Sequence, residues 1–341
     1  MDFTPTEEQE AARELAARIF ADLSGHERLR AAGTGTDAEL WKALCAAGLP
    51  GAVEEIGLLG LVLLLEEQGR RTAQVPFAAS CVYGILAVAR HGTEEQRARL
   101  LPGLREGTTV VTGAFPGPGT VSSRAGRLSG AVAWVPWLRD ATHVLVPDGE
   151  RALWLVRTED AAAVEAVELT APWSAARLVL DGAPGERLGG AGAHDDVLAA
   201  ARIAFAGLQA GVCAGSLARA VEYTSVREQF GRPLSTHQAV QLRAADAHMD
   251  TEAIRVTAYE AAWRHDGGLD AAGAALTAAW WASEAGKRVV HAGQHLHGGM
   301  GADLDHPVHR HFLWGRQLDA YLGCGTELLA GLGDLLAKGD A

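Results

Sequence analysis

Lysine is almost missing from this chain of 341 residues, with three lysines against twenty-seven arginines. Basic residues are also the minority: 30 against 42 acidic ones gives a formal net charge of −12 and a pI near 5.5. That sign excludes a nucleic-acid backbone or an anionic membrane as the main partner, while leaving room for a local basic pocket that takes a phosphorylated ligand. Cysteine is scarce as well. Cys45, Cys81, Cys213 and Cys324 lie far apart with no C-x-x-C pair, which argues against a structural zinc site or a disulfide framework and leads us to expect a reduced, cytoplasmic protein. The longest strongly apolar run, 56–65, is bounded by Glu54-Glu55 and Glu66-Glu67. It is about half of the ~20 residues needed to cross a bilayer, so no membrane span is expected. The first residues carry acids where a signal peptide would be basic and then apolar.

Apolar residues are plentiful, 48% against 21% charged, which suffices for a large core and excludes global disorder. The length implies two or three domains. Over the first hundred residues the apolar positions fall at helical spacing. Thr4-Pro5-Thr6-Glu7 reads as a capped helix start, with Thr4 as N-cap and Glu7 at N3. A second helix is expected from Asp37 to the stop at Gly48-Leu49-Pro50, then a central helix, apolar nearly all round, over 53–69. Thr93-Glu94-Glu95-Gln96 is a further capping box. Near Gly107 the period changes. Short β-branched stretches at 109–112, 128–135, 142–146, 152–156 and 177–180 predict a small antiparallel β domain. From Asp195 four long helical stretches, broken near Gly231-Arg232-Pro233, Asp266-Gly267-Gly268 and 297–307, predict a four-helix bundle. The expected fold class is α+β multidomain: an N-terminal helical domain (1–107), a middle antiparallel β domain (108–190) and a C-terminal four-helix bundle (191–341).

Two strings carry candidate chemistry. Val226-Arg227-Glu228-Gln229-Phe230-Gly231-Arg232-Pro233-Leu234 reads as a helix end, a glycine-proline corner and a new helix capped by Ser235. A guanidinium at such a corner can pair bidentately with a phosphate; the plainer reading is a helix hairpin with solvated arginines. His295-Leu296-His297-Gly298-Gly299-Met300-Gly301 places three glycines after a helix. Their N–H groups can cradle a phosphate, although helices end in glycine routinely. His291 and His295 stand at i, i+4, with His306, His309 and His311 beyond. No acid separates the first pair, so solvated or interface histidines fit better than a metal site. A Rossmann site is excluded, because no strand-GxGxxG-helix unit exists.

Taken together, the chain resembles the acyl-CoA dehydrogenase family nearly end to end. Gly92-Thr93-Glu94-Glu95-Gln96-Arg97 with Leu101-Pro102-Gly103-Leu104 is similar to the family's first-domain ending. The 227–234 string is similar to its arginine-glutamine-phenylalanine-glycine signature, and 297–301 to its histidine-glycine-glycine turn. Pro307-Val308-His309-Arg310 is similar to the lead-in to its last helix. The resemblance implies an FAD-dependent α,β-desaturation of an acyl-CoA thioester. It implies that Arg227 reaches across a subunit interface to the pyrophosphate of a neighbour's FAD, with Phe230 at the same corner. Gln238 would face the adenosine half of that cofactor, although it could instead close a capping box from Ser235. Gly298, Gly299 and Gly301 would line the adenosine or pyrophosphate, with His295 where the family often has glutamine.

The family's other half is absent. Where many members carry a tyrosine-glutamate-glycine-threonine string with the catalytic base, this chain reads Tyr321-Leu322-Gly323-Cys324. The second family seat for the base reads Ala201-Arg202. Neither Leu322 nor Ala201 can take a proton. The stretches that hold the flavin ring read Thr112-Gly113-Ala114-Phe115-Pro116-Gly117 and Trp134-Val135-Pro136-Trp137, and proline offers neither N–H nor hydroxyl. The resemblance therefore implies a non-catalytic subunit of an α2β2 acyl-CoA dehydrogenase. It would share one FAD per heterodimer with a homologous subunit that carries the base. The expected substrate is a bulky acyl-CoA such as a steroid side chain, and the expected acceptor is an electron-transfer flavoprotein or similar protein. Two alternatives stay open: an active homotetramer with a displaced base such as Asp319, and a structural or binding homologue without chemistry.

Overall fold

The computed structural model describes residues 2–115 and 120–339. These residues divide into two compact units, one of 7–61 and 74–201, the other of 2–6, 62–73 and 202–339. In chain order the fold runs from N-terminal helices through central sheets to C-terminal helices.

In the first unit the helices are α1 (Glu7–Leu23), α2 (His26–Ala31), α3 (Ala38–Ala46) and the opening of α4 (Leu49–Arg71). A π-helical segment (Ser80–Leu86) joins α5 (Phe77–Ala79) to α6 (Ala87–His91), and α7 (Glu94–Glu106) follows. Asp37 caps α3 by accepting the Leu40 N–H at 3.0 Å, and Arg28 Nη2 holds that carboxylate at 2.6 Å. Thr93 caps α7 reciprocally with Gln96, the expected capping box. The start of α1 differs from expectation: it begins at Glu7, because Thr4 turns its hydroxyl and N–H to Asp2 Oδ1 at 2.7 and 3.0 Å. The 53–69 helix is interrupted too. Gly57 adopts φ 72°, ψ −168°, a conformation that breaks α4 into two helical runs and that glycine tolerates best.

The strands are β1 (Val111–Gly113), β2 (Val121–Arg124), β3 (Arg127–Val135), β4 (His143–Pro147), β5 (Leu153–Arg157), β6 (Ala163–Ala166), β7 (Ala176–Pro184) and β8 (Glu186–Leu188). They form two four-stranded sheets, ordered β1-β4-β5-β8 and β2-β3-β7-β6. One pairing corrects the antiparallel expectation: β1 runs parallel to β4, Val111 opposite His143. Inward residues of β3 (Leu128, Val135) and alternate residues of β7 (Ala176, Leu178, Leu180) close on Val144, Val146 and Val156 as one core. Short β2, β6 and β8 escaped the sequence reading because β2 and β6 expose most of their side chains and β8 has three residues.

The second unit holds the end of α4, α8 (Ala193–Val226) from Arg202 on, α9 (Gln238–Asp266), α10 (Ala272–Leu296), α11 (Pro307–Tyr321) and α12 (Gly325–Gly339). A two-residue hairpin, β9 (Glu228–Gln229) with β10 (Arg232–Pro233), links α8 to α9. α12 adds to the four expected helices by packing Leu328, Leu332 and Leu335 on Leu276 and Ala279 of α10. α8 is long and apolar enough to cross a membrane by length and composition, yet 83% of its most apolar window is buried in the fold. Its glycines explain the burial. A Cβ at Gly207 would meet Val62, one at Gly211 the Glu66 backbone, and one at Gly215 the Arg70 carbonyl, so three glycines at i, i+4, i+8 let α8 and α4 touch backbone to backbone.

Candidate functional site

The corner after α8 is built as a type I′ turn. Phe230 and Gly231 both have positive φ, 56° and 79°, between the paired residues Gln229 and Arg232. Glycine suits that geometry and phenylalanine does not. Phe230 is nonetheless held there with 90% of its surface exposed, its ring edge-on to His237 at 6.0 Å. A strained, exposed aromatic is poor folding economics and a good contact for something outside the chain. Arg227 ends α8 nearby, exposed, its guanidinium unpaired among the described residues. Gln238 is exposed at the first position of α9, where His237 is the N-cap but makes no side-chain capping bond, its Nδ1 lying 3.3 Å from Arg232 instead. The expected Ser235 cap and its capping box are absent, because Leu234–Thr236 forms a 3₁₀ turn instead.

The glycine string folds as a 3₁₀ helix (Gly298–Ala302) straight after α10. Gly298 has φ 63°, and added side chains at Gly298 or Gly299 would meet open space within 4 Å. Gly301 is the opposite case, its α-carbon pressed on the Gln294 carbonyl so that a Cβ would collide. Gln294 Nε2 also donates to the Gly301 carbonyl at 3.0 Å, pinning the turn to α10. His295 is exposed on α10. Tyr223, one turn before Arg227, stacks on the buried His297 at 4.9 Å and brings its hydroxyl 3.9 Å from Met300 Sδ. The structure thus joins the arginine corner to the glycine turn through a tyrosine, and fixes both with Gln294 and His297. Sequence reasoning named His297 within the glycine string but missed its stacking and the roles of Tyr223 and Gln294; the i, i+4 spacing of Tyr223 and Arg227 was the available signal.

The expected base positions are apolar and closed. Ala201 is 0% exposed. Leu322 caps α11 and, with Arg202, Phe205, Ala206, Ala279, Ala282, Leu318, Tyr321, Gly323 and Leu328, lines a cavity of about 20 Å³. That is room for one water. Phe205 and Tyr321 fill the space edge to face, 4.8 Å apart. Asp319 lies outside this lining among the described residues. Its Oδ2 is 2.8 Å from Arg316 Nε, and burial pushes its carboxyl up against the opposing pull of Arg316 and Lys287.

The stretches expected at a flavin ring are turned inward. Thr112 is buried and donates its hydroxyl to the Pro136 carbonyl at 2.6 Å. Trp137 is buried against Trp173, centroids 6.0 Å apart. Pro116 and Gly117 lie outside the described residues. Arg227 and the Gly298–Gly299 backbone are thus open to the outside, while Thr112 and Trp137 are buried.

The histidines disperse. His291 Nε2 is 3.1 Å from Arg316, and burial and that guanidinium hold its pKa down. His306 caps α11 through the Val308 N–H at 3.2 Å. His311 is buried with its two ring nitrogens 3.3 Å from the Pro307 carbonyl and 3.1 Å from that of Arg70. An open cleft of about 700 Å³ between α9, α10 and α11 is lined by Arg243, Asp246, Lys287, Arg288 and Arg316. Three of its four cations are taken within the chain. Asp250 takes Arg288, Glu284 takes Lys287 and Asp319 takes Arg316.

Comparison with known proteins gives a consistent result. The family model described as acyl-CoA dehydrogenase, N-terminal domain, matches residues 6–108, and that for the C-terminal domain matches 189–328. The chain is 34% identical over 377 residues to acyl-CoA dehydrogenase FadE27 of Mycobacterium tuberculosis, covering 99% of each. It is similar to a chain of the Tcur3481–Tcur3483 steroid ACAD, solved as a variant, with 41% identity and TM-score 0.93 over 98% of this chain and 99% of that one. It is also similar to a chain of the ChsE4–ChsE5 complex from Mycobacterium tuberculosis, with 34% identity and TM-score 0.92 over 99% of each.

Proposed function

Since this chain belongs to the acyl-CoA dehydrogenase family, we propose that it is the non-catalytic subunit of a heteromeric enzyme that desaturates a bulky acyl-CoA. The observation that carries the reading is Leu322, standing over a cavity of about 20 Å³ where a base and an acyl chain would have to be. Removing a weakly acidic α proton calls for a desolvated carboxylate within hydrogen-bond reach. A leucine packed on Phe205 and Tyr321 offers none, so a homologous partner supplies the base. Two structural neighbours are named for pairs of proteins, and one of them for a steroid substrate, which favours an α2β2 assembly acting on a steroid-like acyl group.

FAD, when bound, supplies the hydride-accepting ring. This chain's part is to hold its far end. Arg227 has the free planar donor for a pyrophosphate, Phe230 an aromatic face for the adenine, and Gly298 and Gly299 open backbone beside it. Gln238 and His295 are exposed polar groups that can hydrogen-bond the adenosine. One FAD is shared per heterodimer, and an electron-transfer flavoprotein or similar acceptor takes the electrons onward.

The test is turnover. The purified chain alone should desaturate no acyl-CoA, and the co-purified heteromer should. Asp319→Asn should leave heteromer turnover unchanged, because Asp319 faces Arg316 and not the Leu322 cavity. A loss of about 100-fold or more, the scale of a general base, would return that role to Asp319 and end this reading.

A further inference from the structure

One face of α8 carries Gly215, Arg219 and Tyr223, each a turn apart, and Arg227 follows at the same spacing just past its end. The first of them meets α4 and α11 together: a Cβ at Gly215 would collide with the Arg70 carbonyl and lie 2.6 Å from His311 Nε2. Arg310 of α11 reaches Thr72 Oγ1 at 3.1 Å, just past the end of α4. These contacts fix residues 70–72 and the first turn of α11 beside α8, and Arg219 projects one turn beyond. Arg71, Arg219 and Arg310 therefore gather at one place.

Two of the three lack an ion-pair partner among the described residues. Arg219 is half-buried and Arg71 exposed, and neither guanidinium has a hydrogen bond or ion pair with a described residue. Burial and the charge of Arg71 hold the Arg219 guanidinium below its ordinary pKa, with Glu222 opposing. Burial likewise pushes Arg310 down to about 10. Glu67 is taken by Arg70 at 3.2 Å. A half-desolvated cation beside like charge is costly unless something outside the chain completes it.

The vacancy suits a carboxylate better than a phosphate. Phosphate sites draw on clustered backbone N–H groups, and here those groups are spent. The Thr72 N–H goes to the Gly69 carbonyl at 3.0 Å, Val308 to His306 Nδ1 at 3.2 Å and His309 to the His306 carbonyl at 3.0 Å. What remains is planar guanidinium, which matches the two oxygens of a carboxylate. The same α8 face continues to Arg227, which on the function proposed above reaches across the subunit boundary.

We propose that the partner subunit seats an aspartate or glutamate carboxylate between Arg71 and Arg219, an ion-paired contact next to the shared nucleotide. This rests on the heteromeric reading. The experiment measures association of the chain with its homologous subunit, in the wild type, Arg71→Ala and Arg219→Ala, at 50 and 500 mM NaCl. Each variant should bind about 10-fold more weakly at low salt, with the gap closing at high salt, where screening falls to about 4 Å. The melting temperature of the isolated Arg219→Ala chain should hold or rise, because an uncompensated cation is removed. Unchanged association would overturn the proposal, as would a lowered melting temperature, which would mean an internal counter-ion. Inorganic phosphate bound by the isolated chain more tightly than about 1 mM, and lost in Arg219→Ala, would assign the site to a small anion and overturn it too. Arg227→Ala separates the two ideas. It should lose flavin and keep association, and that result alongside normal assembly of Arg219→Ala would sink this inference alone. Stoichiometric flavin on the unpartnered chain would sink the function beneath it.

Discussion

Replacing Phe230 with asparagine should stabilise the isolated chain and weaken flavin binding by the heteromer, two effects that ordinarily go together in the opposite sense. Phe230 sits at φ 56° in a type I′ turn ahead of Gly231, and Asn-Gly is the favoured pair for that turn. The left-handed conformation costs a non-glycine residue about 1–2 kcal/mol, less for asparagine, whose short polar side chain bonds locally. Burial repays little of this, since the ring is 90% exposed and touches His237 only edge-on. Asparagine also avoids the extra unfolded-state freedom of glycine. The net gain is about 1 kcal/mol, or roughly 1–2 °C in melting temperature for a chain of this length. The adenine meanwhile loses a stacking surface worth about 1–3 kcal/mol, a weakening of roughly 5- to 150-fold. Calorimetry of the isolated chain and flavin titration of the apo-heteromer read the two quantities separately. A melting temperature lowered by more than about 2 °C, or unchanged flavin affinity, would refute the reasoning.

Gly301→Ala drives a methyl group into the Gln294 carbonyl and should cost about 1–3 kcal/mol by overpacking, visible as a lower urea midpoint together with reduced flavin retention. His311 gives a pH signature. Burial, aided by Arg219, holds its pKa down to about 4 against the pull of its two carbonyl partners. The folded state then binds the proton less tightly than the unfolded one, whose pKa is near 6.5. Stability should be full above pH 6.5 and fall by up to about 3 kcal/mol as pH drops towards 4; His311→Gln should flatten that slope in urea melts, and an unaltered slope would clear His311 of the effect. Thr93→Ala removes the reciprocal cap on α7 and should cost about 1 kcal/mol in the same assay.

Local chemistry decided which parts of this structure could be read from the chain. The Asp37 and Thr93 caps, five of the eight strands of the central sheets and the breaks between the long helices all announce themselves within a few residues. Features set by distant partners did not. β1 chose a parallel neighbour about thirty residues away; two local exceptions also escaped, Thr4 diverted by Asp2 two residues before it and Gly57 breaking an apolar run of uniform composition. At the candidate site the same rule holds. Arg227, Phe230 and the glycine string were legible as motifs, whereas Tyr223, Gln294 and His297, which hold them in place, act through contacts between α8, α10 and the turn. The Tyr321-Leu322-Gly323-Cys324 string was legible; that Phe205 packs edge to face on Tyr321 beside Leu322 was not.

The central claim is that this chain holds one end of a cofactor whose ring and base belong to another subunit. Its most direct test is the visible spectrum and flavin-to-chain ratio of the protein purified alone and then with its homologous partner. A colourless chain that becomes yellow only in the complex, with one flavin per two chains, is the expected result. One flavin per chain in the absence of any partner would contradict it.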